Sequence, residues 1–188
     1  MTRARDCHFE TERLQAAEWH SGASGEEASG HLAEFVCALL TPAVTGQLPP
    51  SWQGDYDTAR ALRWIDERDQ ESTQLLIRSR ELGKPIGLMI LHEGGTMEAP
   101  ELRIGYLIRE ESWGQGYATE LLRGLVGWAR TSDYRRTVAG VAHSNAPSIR
   151  VLEKSGFVRS IDEEKDSSEL FFIVDLSDEA EVHQAGPR

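Results

Sequence analysis

Two glycines one residue apart, Gly114 and Gly116, separate an apolar strand-like run from a helical pattern, and they constrain this chain more than any other feature. Residues 113–120 read Trp-Gly-Gln-Gly-Tyr-Ala-Thr-Glu. A glycine turn directly before a helix lets several backbone N–H groups point at one spot, and the helix start adds about half a positive charge there. Phosphate and pyrophosphate groups bind such spots. The segment therefore predicts a site for a phosphate-bearing cofactor or substrate.

Other phosphate loops, and a turn without any ligand, are the alternatives to this interpretation. A dinucleotide site of the Rossmann type needs a third glycine and an acidic residue at the end of the next strand. Here the next strand ends in Val141-Ala142-His143. A P-loop needs Gly-Lys-Ser or Gly-Lys-Thr at the helix start, and this segment has neither. Taken alone, the two glycines are also compatible with a tight turn of purely structural role.

The composition is that of an ordinary soluble protein, with 39% hydrophobic and 27% charged residues in a chain of 188, and this length favours one domain. We expect the domain to span residues 10–176, between a loose N-terminus at 1–9 and a loose tail at 177–188. No apolar run approaches the length of a membrane span, and the N-terminus has no apolar signal core. We therefore expect a cytoplasmic protein that does not enter a membrane.

The formal net charge of −11 argues against nucleic-acid binding, because such binding needs a basic surface. The negative charge either favours cationic substrates by electrostatic steering or serves only solubility. Cys7 and Cys37 stand far apart and predict no disulfide framework, with Cys37 expected to be buried. The six histidines are scattered singly, so we expect no metal site.

Hydrophobic periodicity and turn residues predict an α+β protein with one mixed, mainly antiparallel twisted sheet of about six to seven strands and about four helices. The prolines after residue 41 break the chain into a loop or short helix. Strands are predicted over 12–18, 73–80, 85–92, 101–108, 136–142, 157–162 and 169–175. Helices are predicted over 26–40, from Asp57 onward, from the glycine turn to about residue 131, and over 147–155.

A second motif lies downstream, where residues 145–157 read Asn-Ala-Pro-Ser-Ile-Arg-Val-Leu-Glu-Lys-Ser-Gly-Phe. Together with the glycine turn, it resembles the GCN5-related N-acetyltransferase (GNAT) superfamily. There a strand, a Gly-x-Gly pyrophosphate loop and a helix are followed by a strand, an asparagine, a short helix and Gly-Phe. Ile-Gly-Tyr-Leu-Ile at 104–108, Glu-Thr-Glu-Arg-Leu at 10–14 and Pro-Ile-Gly at 85–87 are similar to the ribosomal-protein N-terminal acetyltransferase branch. The likeness spans residues 10–175.

The resemblance implies a site for acetyl-CoA, with its pyrophosphate on the glycine turn. The pantetheine arm would pair with the backbone of the strand that ends at Leu107 and Ile108, and a splay between this strand and the next would admit the thioester. Many members carry Arg or Gln where this chain has Trp113, so binding here would depend on the backbone and the helix dipole. The residues expected to bind the cofactor are Leu107, Ile108, Trp113, Gly114, Gln115, Gly116, Tyr117, Ala118, Thr119, Asn145, Ser148 and Lys154.

Direct attack of an amine on the thioester needs an acid for the leaving thiolate, and a base or water for the amine. Many superfamily members supply the acid as a tyrosine at the position that Leu152 holds here. The branch that this chain resembles offers a serine, which corresponds to Ser148; a simple helix cap is its alternative role. Glu101 and His143 are the candidate bases. Glu101 could instead form a surface ion pair with Arg103, which lies on the same face of the strand. His143 could instead have a structural role at a strand end.

The function predicted from these observations is acetyl-CoA-dependent transfer of an acetyl group to a primary amine. The acceptor could be a protein N-terminus, a polyamine or an amino-sugar, and Trp52 and Tyr106 are expected to line its side of the site. We expect no metal ion and no nucleic acid, and a monomer or homodimer. The competing hypothesis is a non-catalytic acyl-CoA-binding or sensing protein of the same fold, since the tyrosine is missing and the carboxylate is displaced.

Overall fold

One eight-stranded sheet with helices on both faces forms the body of the protein. The computed structural model describes residues 3–21, 25–161 and 169–176, and for residues 26 and 27 it describes the backbone only. The predicted tail at 177–188 lies outside the described residues, as does residue 162 at the end of a predicted strand. Within the described ranges, no helix is long and apolar enough to cross a membrane.

The described residues form eight strands and five α-helices. The strands are β1 Phe9–Glu10, β2 Leu14–Glu18, β3 Thr73–Ser79, β4 Pro85–Gly95, β5 Pro100–Ile108, β6 Arg136–Ala142, β7 Val158–Ser160 and β8 Glu169–Asp175. The α-helices are α1 Glu26–Leu39, α2 Pro42–Thr45, α3 Thr58–Glu71, α4 Tyr117–Ala129 and α5 Ala146–Lys154. The fold class predicted from the sequence is confirmed. The sheet has one strand more than expected, because β1 folds back in antiparallel pairing onto β2.

The strand order across the sheet is β1-β2-β3-β4-β5-β6-β8-β7. All neighbours are antiparallel except β5 and β6, which are parallel. Parallel neighbours need a crossover connection, and α4 provides it. The sheet is therefore mixed and mainly antiparallel, with its single parallel pair at the point where the glycine turn enters α4.

Each face of the sheet carries its own hydrophobic core. The helices α1 and α3 cover one face, and the core there includes Val36, Trp64 and Leu107. The helices α4 and α5 cover the other face, and the core there includes Leu121 and Ile108. Because successive strand residues point to opposite faces, Leu107 and Ile108 fix β5 from both sides.

The described part of the N-terminal segment, from residue 3 onward, is packed, which corrects the loose N-terminus expected there. Residues 1 and 2 lie outside the described residues. Ala4 and Cys7 are buried in the core on the α4 and α5 face. The Ala4 N–H also donates a hydrogen bond to Glu93 Oε1 at 2.7 Å. Two small apolar side chains three residues apart lie on one side of a short 3-10 helical turn. Their burial is a tertiary effect that the polar composition of the segment conceals.

A glycine permits the close approach of β4 and β5. Gly87 lies opposite Ile108 in the sheet. A Cβ at Gly87 would lie 2.4 Å from the carbonyl oxygen of Leu107 and 2.8 Å from Ile108 Cδ1. Both distances are too short for non-bonded heavy atoms, so only glycine fits here without a shift of β5. The Pro-Ile-Gly run at 85–87 thus determines where the end of β5 lies.

We expect Gly87→Ala to lower the free energy of unfolding by roughly 1–3 kcal/mol, because the added methyl group must displace the backbone of β5. Gly105→Ala is the matched control. A Cβ at Gly105 would meet Ile90 Cβ at an ordinary 3.9 Å, so we expect a change within about 0.5 kcal/mol. Urea unfolding of both variants measures the difference. Equal free energies of unfolding would contradict the close approach.

Candidate active site

The strands β5 and β6 part in the middle of the sheet. They pair in parallel only from Glu101 with Arg136 to Ile104 with Ala139. Beyond that point, residues 105–108 have no strand partner on the β6 side among the described residues, although β4 still pairs with them on the other side. This edge of β5 forms one wall of a cavity of about 710 Å³. The splay predicted from the resemblance is therefore confirmed.

The glycine turn forms a second wall of the cavity. Gly114 and Gly116 have φ angles of 72° and 82°, which residues with a Cβ rarely adopt. Gly116 is the N-cap residue of α4 and offers no side chain to the first helical turn. The first N–H groups of α4 are therefore available to a ligand. The turn residues that line the cavity are Trp113, Gly114, Gly116, Tyr117, Ala118 and Thr119.

Trp113 attaches the glycine turn to the end of β5. Its indole Nε1–H donates a hydrogen bond to the Ile108 carbonyl at 2.7 Å, while the side chain stays 48% exposed. Trp113 therefore fixes the turn in place and adds no charge, at a position where many superfamily members carry Arg or Gln.

The N-terminal hairpin attaches the turn at a second point. Arg13 Nε donates to Glu120 Oε2 at 2.7 Å, and the Thr11 hydroxyl donates to Glu120 Oε1 at 2.6 Å. Arg13 Nη1 also donates to the Gln115 carbonyl at 3.0 Å, and its guanidinium lies 4.6 Å from the centroid of the Tyr117 ring. Arg13 stands in the Glu-Thr-Glu-Arg-Leu run, but nothing in its local sequence indicates this role, because its partners lie more than 100 residues away.

Gln115 does not line the cavity, unlike the other turn residues expected to bind the cofactor. Its side-chain amide donates to the Glu111 carbonyl at 3.0 Å, and its own carbonyl accepts the hydrogen bond from Arg13. Gln115 therefore stabilises the turn from outside.

The helix α5 brings Asn145 and Ser148 to the cavity. Asn145 is the N-cap residue, and its Oδ1 accepts a hydrogen bond from the Ser148 N–H at 3.2 Å. This corrects the alternative in which Ser148 caps the helix. The Ser148 side chain is half-buried on the cavity wall, so its hydroxyl is left for other contacts. The other α5 residues that line the cavity are Pro147, Arg150, Val151 and Lys154.

Tyr106 lies on the unpaired edge of β5 and also lines the cavity. Its hydroxyl is buried and has no hydrogen-bond partner of ordinary geometry among the described residues. Burial raises the pKa of Tyr106, and the nearby Ser148 hydroxyl lowers it by a smaller amount. The two hydroxyl groups therefore lie close together where β5 and β6 part.

The opposite wall comes from the segment around α2. A hydrogen bond from Ser144 Oγ to Gln47 Oε1, 2.5 Å long, joins this wall to the start of α5. The sequence predicts a loop or short helix here, within the region 26–65 that we expect on the acceptor side. It singles out none of these lining residues, because so short an element has no periodic pattern. The residues of this wall that line the cavity are Ala43, Val44, Gln47 and Leu48.

Trp52 does not line the cavity, which corrects its expected place in the acceptor wall. Its ring makes an edge contact with the Trp64 ring, with centroids 5.2 Å apart. The Arg68 guanidinium lies 4.7 Å from the Trp52 ring centroid. Burial against another aromatic ring and a cation stabilises this position, so Trp52 packs against the core on the α1 and α3 face.

Glu101 and His143, the candidate bases, do not line the cavity either. Glu101 lies five residues before Tyr106 on β5, which is about 17 Å along a strand. Its carboxylate accepts a hydrogen bond from Arg136 Nε at 2.8 Å and lies 3.6 Å from Arg103 Nη2. The ion-pair alternative therefore describes Glu101, whose carboxylate contacts two guanidinium groups outside the cavity lining. His143 is exposed at the end of β6.

The charged side chains on the cavity wall are both basic. They belong to Arg150 and Lys154, and the described lining residues include no Asp, Glu or His. In the part of the chain that the structure describes, no three His, Cys, Asp or Glu side chains are grouped so that they could hold a metal ion. The wall can therefore attract an anion, while it offers neither a carboxylate nor an imidazole as a base.

Comparison with known proteins identifies the family. A family model described as "Acetyltransferase (GNAT) domain" matches residues 27–158, which is more than half of the chain. The chain therefore belongs to the GNAT acetyltransferase family, and it is an N-acetyltransferase. Members of this family bind coenzyme A.

Three similar proteins are acetyltransferases. The L-methionine sulfoximine/L-methionine sulfone acetyltransferase of Pseudomonas paraeruginosa is 25% identical over 125 residues, which are 65% of this chain and 72% of that protein. RimL, a ribosomal L7/L12 alpha-N-protein acetyltransferase in complex with coenzyme A, has a TM-score of 0.66 at 17% identity, over 88% of this chain and 95% of that chain. Spermidine N-acetyltransferase from Vibrio cholerae, in complex with CoA and spermine, has a TM-score of 0.63 at 14% identity, over 89% of this chain and 98% of that chain. At these identities the two structures share the fold.

The hydrogen bonds that Glu120 accepts from Thr11 and Arg13 predict that the stability of the protein depends on pH. Burial raises the pKa of Glu120, but hydrogen bonds from Thr11 and Arg13 outweigh this effect, so the pKa is lowered overall. A carboxylate with a lowered folded-state pKa stabilises the protein above the pKa of an ordinary glutamate, about 4.3. The stabilisation is lost as the pH falls through the folded-state pKa.

We expect Glu120→Gln to lower the free energy of unfolding by about 1 kcal/mol at neutral pH, since Arg13 is partly exposed. The difference from the wild type should shrink as the pH falls below about 4.3. Urea unfolding across this range measures it. Glu153→Gln, at an exposed position on α5, makes the same change of charge and should have little effect. If Glu120→Gln lowers the free energy of unfolding by the same amount at every pH, the result would contradict the role of the charge.

Proposed function

We propose that the protein transfers an acetyl group from acetyl-CoA to a primary amine, by direct attack of the amine on the thioester. One observation carries this proposal: a single cavity of about 710 Å³ joins the glycine turn, the unpaired edge of β5 and Ser148. Such a reaction needs all three parts. The glycine turn would bind phosphate, the edge of β5 would bind an extended arm, and Ser148 would supply a proton.

The residues present fit coenzyme A. The space around Gly114 is open, since a Cβ there would have no heavy atom within 4 Å, and the first N–H groups of α4 have no side-chain cap. An anion is favoured at that spot by the helix dipole, and Lys154 and Arg150 add positive charge to the same cavity. Apart from the Ile108 carbonyl, which accepts the Trp113 indole N–H, the backbone groups of residues 105–108 on the β6 side have no strand partner among the described residues. An extended arm could add there as a further strand.

Ser148 is the residue that we assign as the acid. When bound, acetyl-CoA supplies the activated acyl group. Ser148 would give its hydroxyl proton to the sulfur that leaves. The described residues on the cavity wall include no Asp, Glu or His, so the proton of the attacking amine would pass to water. This replaces Glu101 and His143 as candidate bases.

The cavity wall favours an acceptor with a single amine. Ala43, Val44, Leu48 and Leu107 are apolar, and Gln47 is neutral. A polyamine or amino-sugar carries further ammonium groups, and burying a cation without a carboxylate partner is unfavourable. We therefore propose an amino acid or a peptide N-terminus as acceptor, in keeping with the resemblance to the ribosomal-protein N-terminal branch. The net charge of −11 does not come from the cavity wall, whose charged side chains are basic. A cytoplasmic location stays a prediction.

Calorimetry and a thiol-release assay test this function. We expect acetyl-CoA to bind and ATP not to bind. We expect methionine sulfoximine or a short peptide to release CoA with a kcat/KM at least about tenfold above that of spermidine, since an unpaired buried cation costs more than about 1.4 kcal/mol. Preference for spermidine would overturn the acceptor assignment. Binding of acetyl-CoA without release by any amine would favour the acyl-CoA-binding alternative, and ATP binding without CoA binding would reject the cofactor.

We expect Ser148→Ala to lower kcat by roughly two orders of magnitude while the Kd for acetyl-CoA stays unchanged, because the hydroxyl acts on the leaving group. Ser155→Ala is the matched control on the same helix. The Ser155 hydroxyl donates to the Val151 carbonyl at 2.7 Å and lies outside the cavity lining, so kcat should not change. Steady-state kinetics and calorimetry measure both. Unchanged turnover in Ser148→Ala would reject the assignment.

A further inference from the structure

The Tyr106 hydroxyl is a buried polar group without a hydrogen-bond partner of ordinary geometry among the described residues, which is unusual in a folded protein. Buried hydroxyl groups almost always have a partner, because leaving the bond unmade is costly. Such exceptions call for an explanation, and a functional site is one.

The fold places this hydroxyl beside Ser148. Side chains alternate along β5, so Tyr106 points to the face that carries Ile108, and it packs against the core on the α4 and α5 side. Ser148 lies in the first turn of α5, and its N–H is already bound to Asn145 Oδ1. The Ser148 hydroxyl is close enough to act on the ionisation of Tyr106. Tyr106 and Ser148 also line the same cavity.

A tyrosine is un-ionised at neutral pH, since its ordinary pKa is about 10. Burial raises the pKa of Tyr106 further, by more than the nearby Ser148 hydroxyl lowers it. A neutral phenol retains its proton and can donate a hydrogen bond. Ser148 Oγ has lone pairs to accept that bond, and its own proton is then free to point into the cavity.

We propose that Tyr106 is a positioning residue for Ser148: its hydroxyl donates to Ser148 Oγ and turns the Ser148 O–H toward the sulfur that leaves. This inference rests on the proposed function. The C–N bond forms and the C–S bond breaks, and the sulfur takes the electron pair and the Ser148 proton. The hydrogen bond from Tyr106 stabilises the serine oxygen until water returns a proton, while the amine gives its proton to water.

The proposal accounts for a departure from the superfamily pattern. The helix position where many members carry a tyrosine holds Leu152, which is buried with 1% exposure. In this chain a phenol reaches the same cavity from β5 instead. It acts through the serine because its own hydroxyl is buried.

Tyr106→Phe tests the proposal. We expect kcat to fall on the order of tenfold, with the Kd for acetyl-CoA unchanged. Stability in urea should change little, because the variant keeps the aromatic ring in the core and removes only the hydroxyl. The double variant with Ser148→Ala should be no slower than Ser148→Ala alone, since the two residues act as one unit. Tyr134→Phe is the matched control: that hydroxyl donates to Glu93 Oε1 at 2.6 Å, outside the cavity, so kcat should not change.

The thiol of bound CoA gives a readout that needs no acceptor amine. Ultraviolet absorbance of the thiolate reports the pKa of this thiol on the enzyme. We expect a lower pKa on the wild type than on Tyr106→Phe or Ser148→Ala, because the paired hydroxyls stabilise the thiolate. Equal thiol pKa values in all three proteins, or unchanged kcat in Tyr106→Phe, would overturn the proposal. Should CoA bind to none of them, the proposed function itself would fail.

Discussion

The active site depends on one interruption in the sheet, the end of parallel pairing between β5 and β6 after Ile104 and Ala139. Backbone groups that lose a strand partner inside a protein must find another, and the edge of β5 faces a cavity where a ligand can provide it. The opposite edge stays tightly held, because Gly87 lets β4 approach the Leu107 carbonyl. A strand that is fixed on one side and free on the other suits an extended ligand.

The glycine turn needs an equally rigid frame. Backbone N–H groups bind an anion well when their directions are fixed before the ligand arrives, and glycine by itself loosens a chain. Trp113 attaches the turn to the Ile108 carbonyl, and Arg13 attaches it to the Gln115 carbonyl and to Glu120. The side chains near the turn therefore stabilise its shape, and the first N–H groups of α4, which have no side-chain cap, stay available to a ligand.

Overall charge and local charge differ in sign. The chain carries a net charge of −11, yet the charged side chains on the cavity wall are Arg150 and Lys154. Charges at the surface are screened over about 8–10 Å at physiological salt, so groups on the wall dominate the field that a bound ligand experiences. A cationic acceptor attracted by the surface would meet no carboxylate on the described wall.

The sequence by itself determined the fold class, the family resemblance and the glycine turn, because periodicity, turn chemistry and motif spacing are local properties. By resemblance it also predicted Ser148 as the acid and a cofactor-binding residue, and it predicted Tyr106 on the acceptor side. Only the tertiary structure decided which side chains meet. In the folded protein, Glu101 forms an ion pair with Arg136, and Trp52 packs against Trp64. The tertiary structure also brought Arg13 to Glu120 across 107 positions, since such contacts arise from packing between distant elements and leave no local pattern in the sequence.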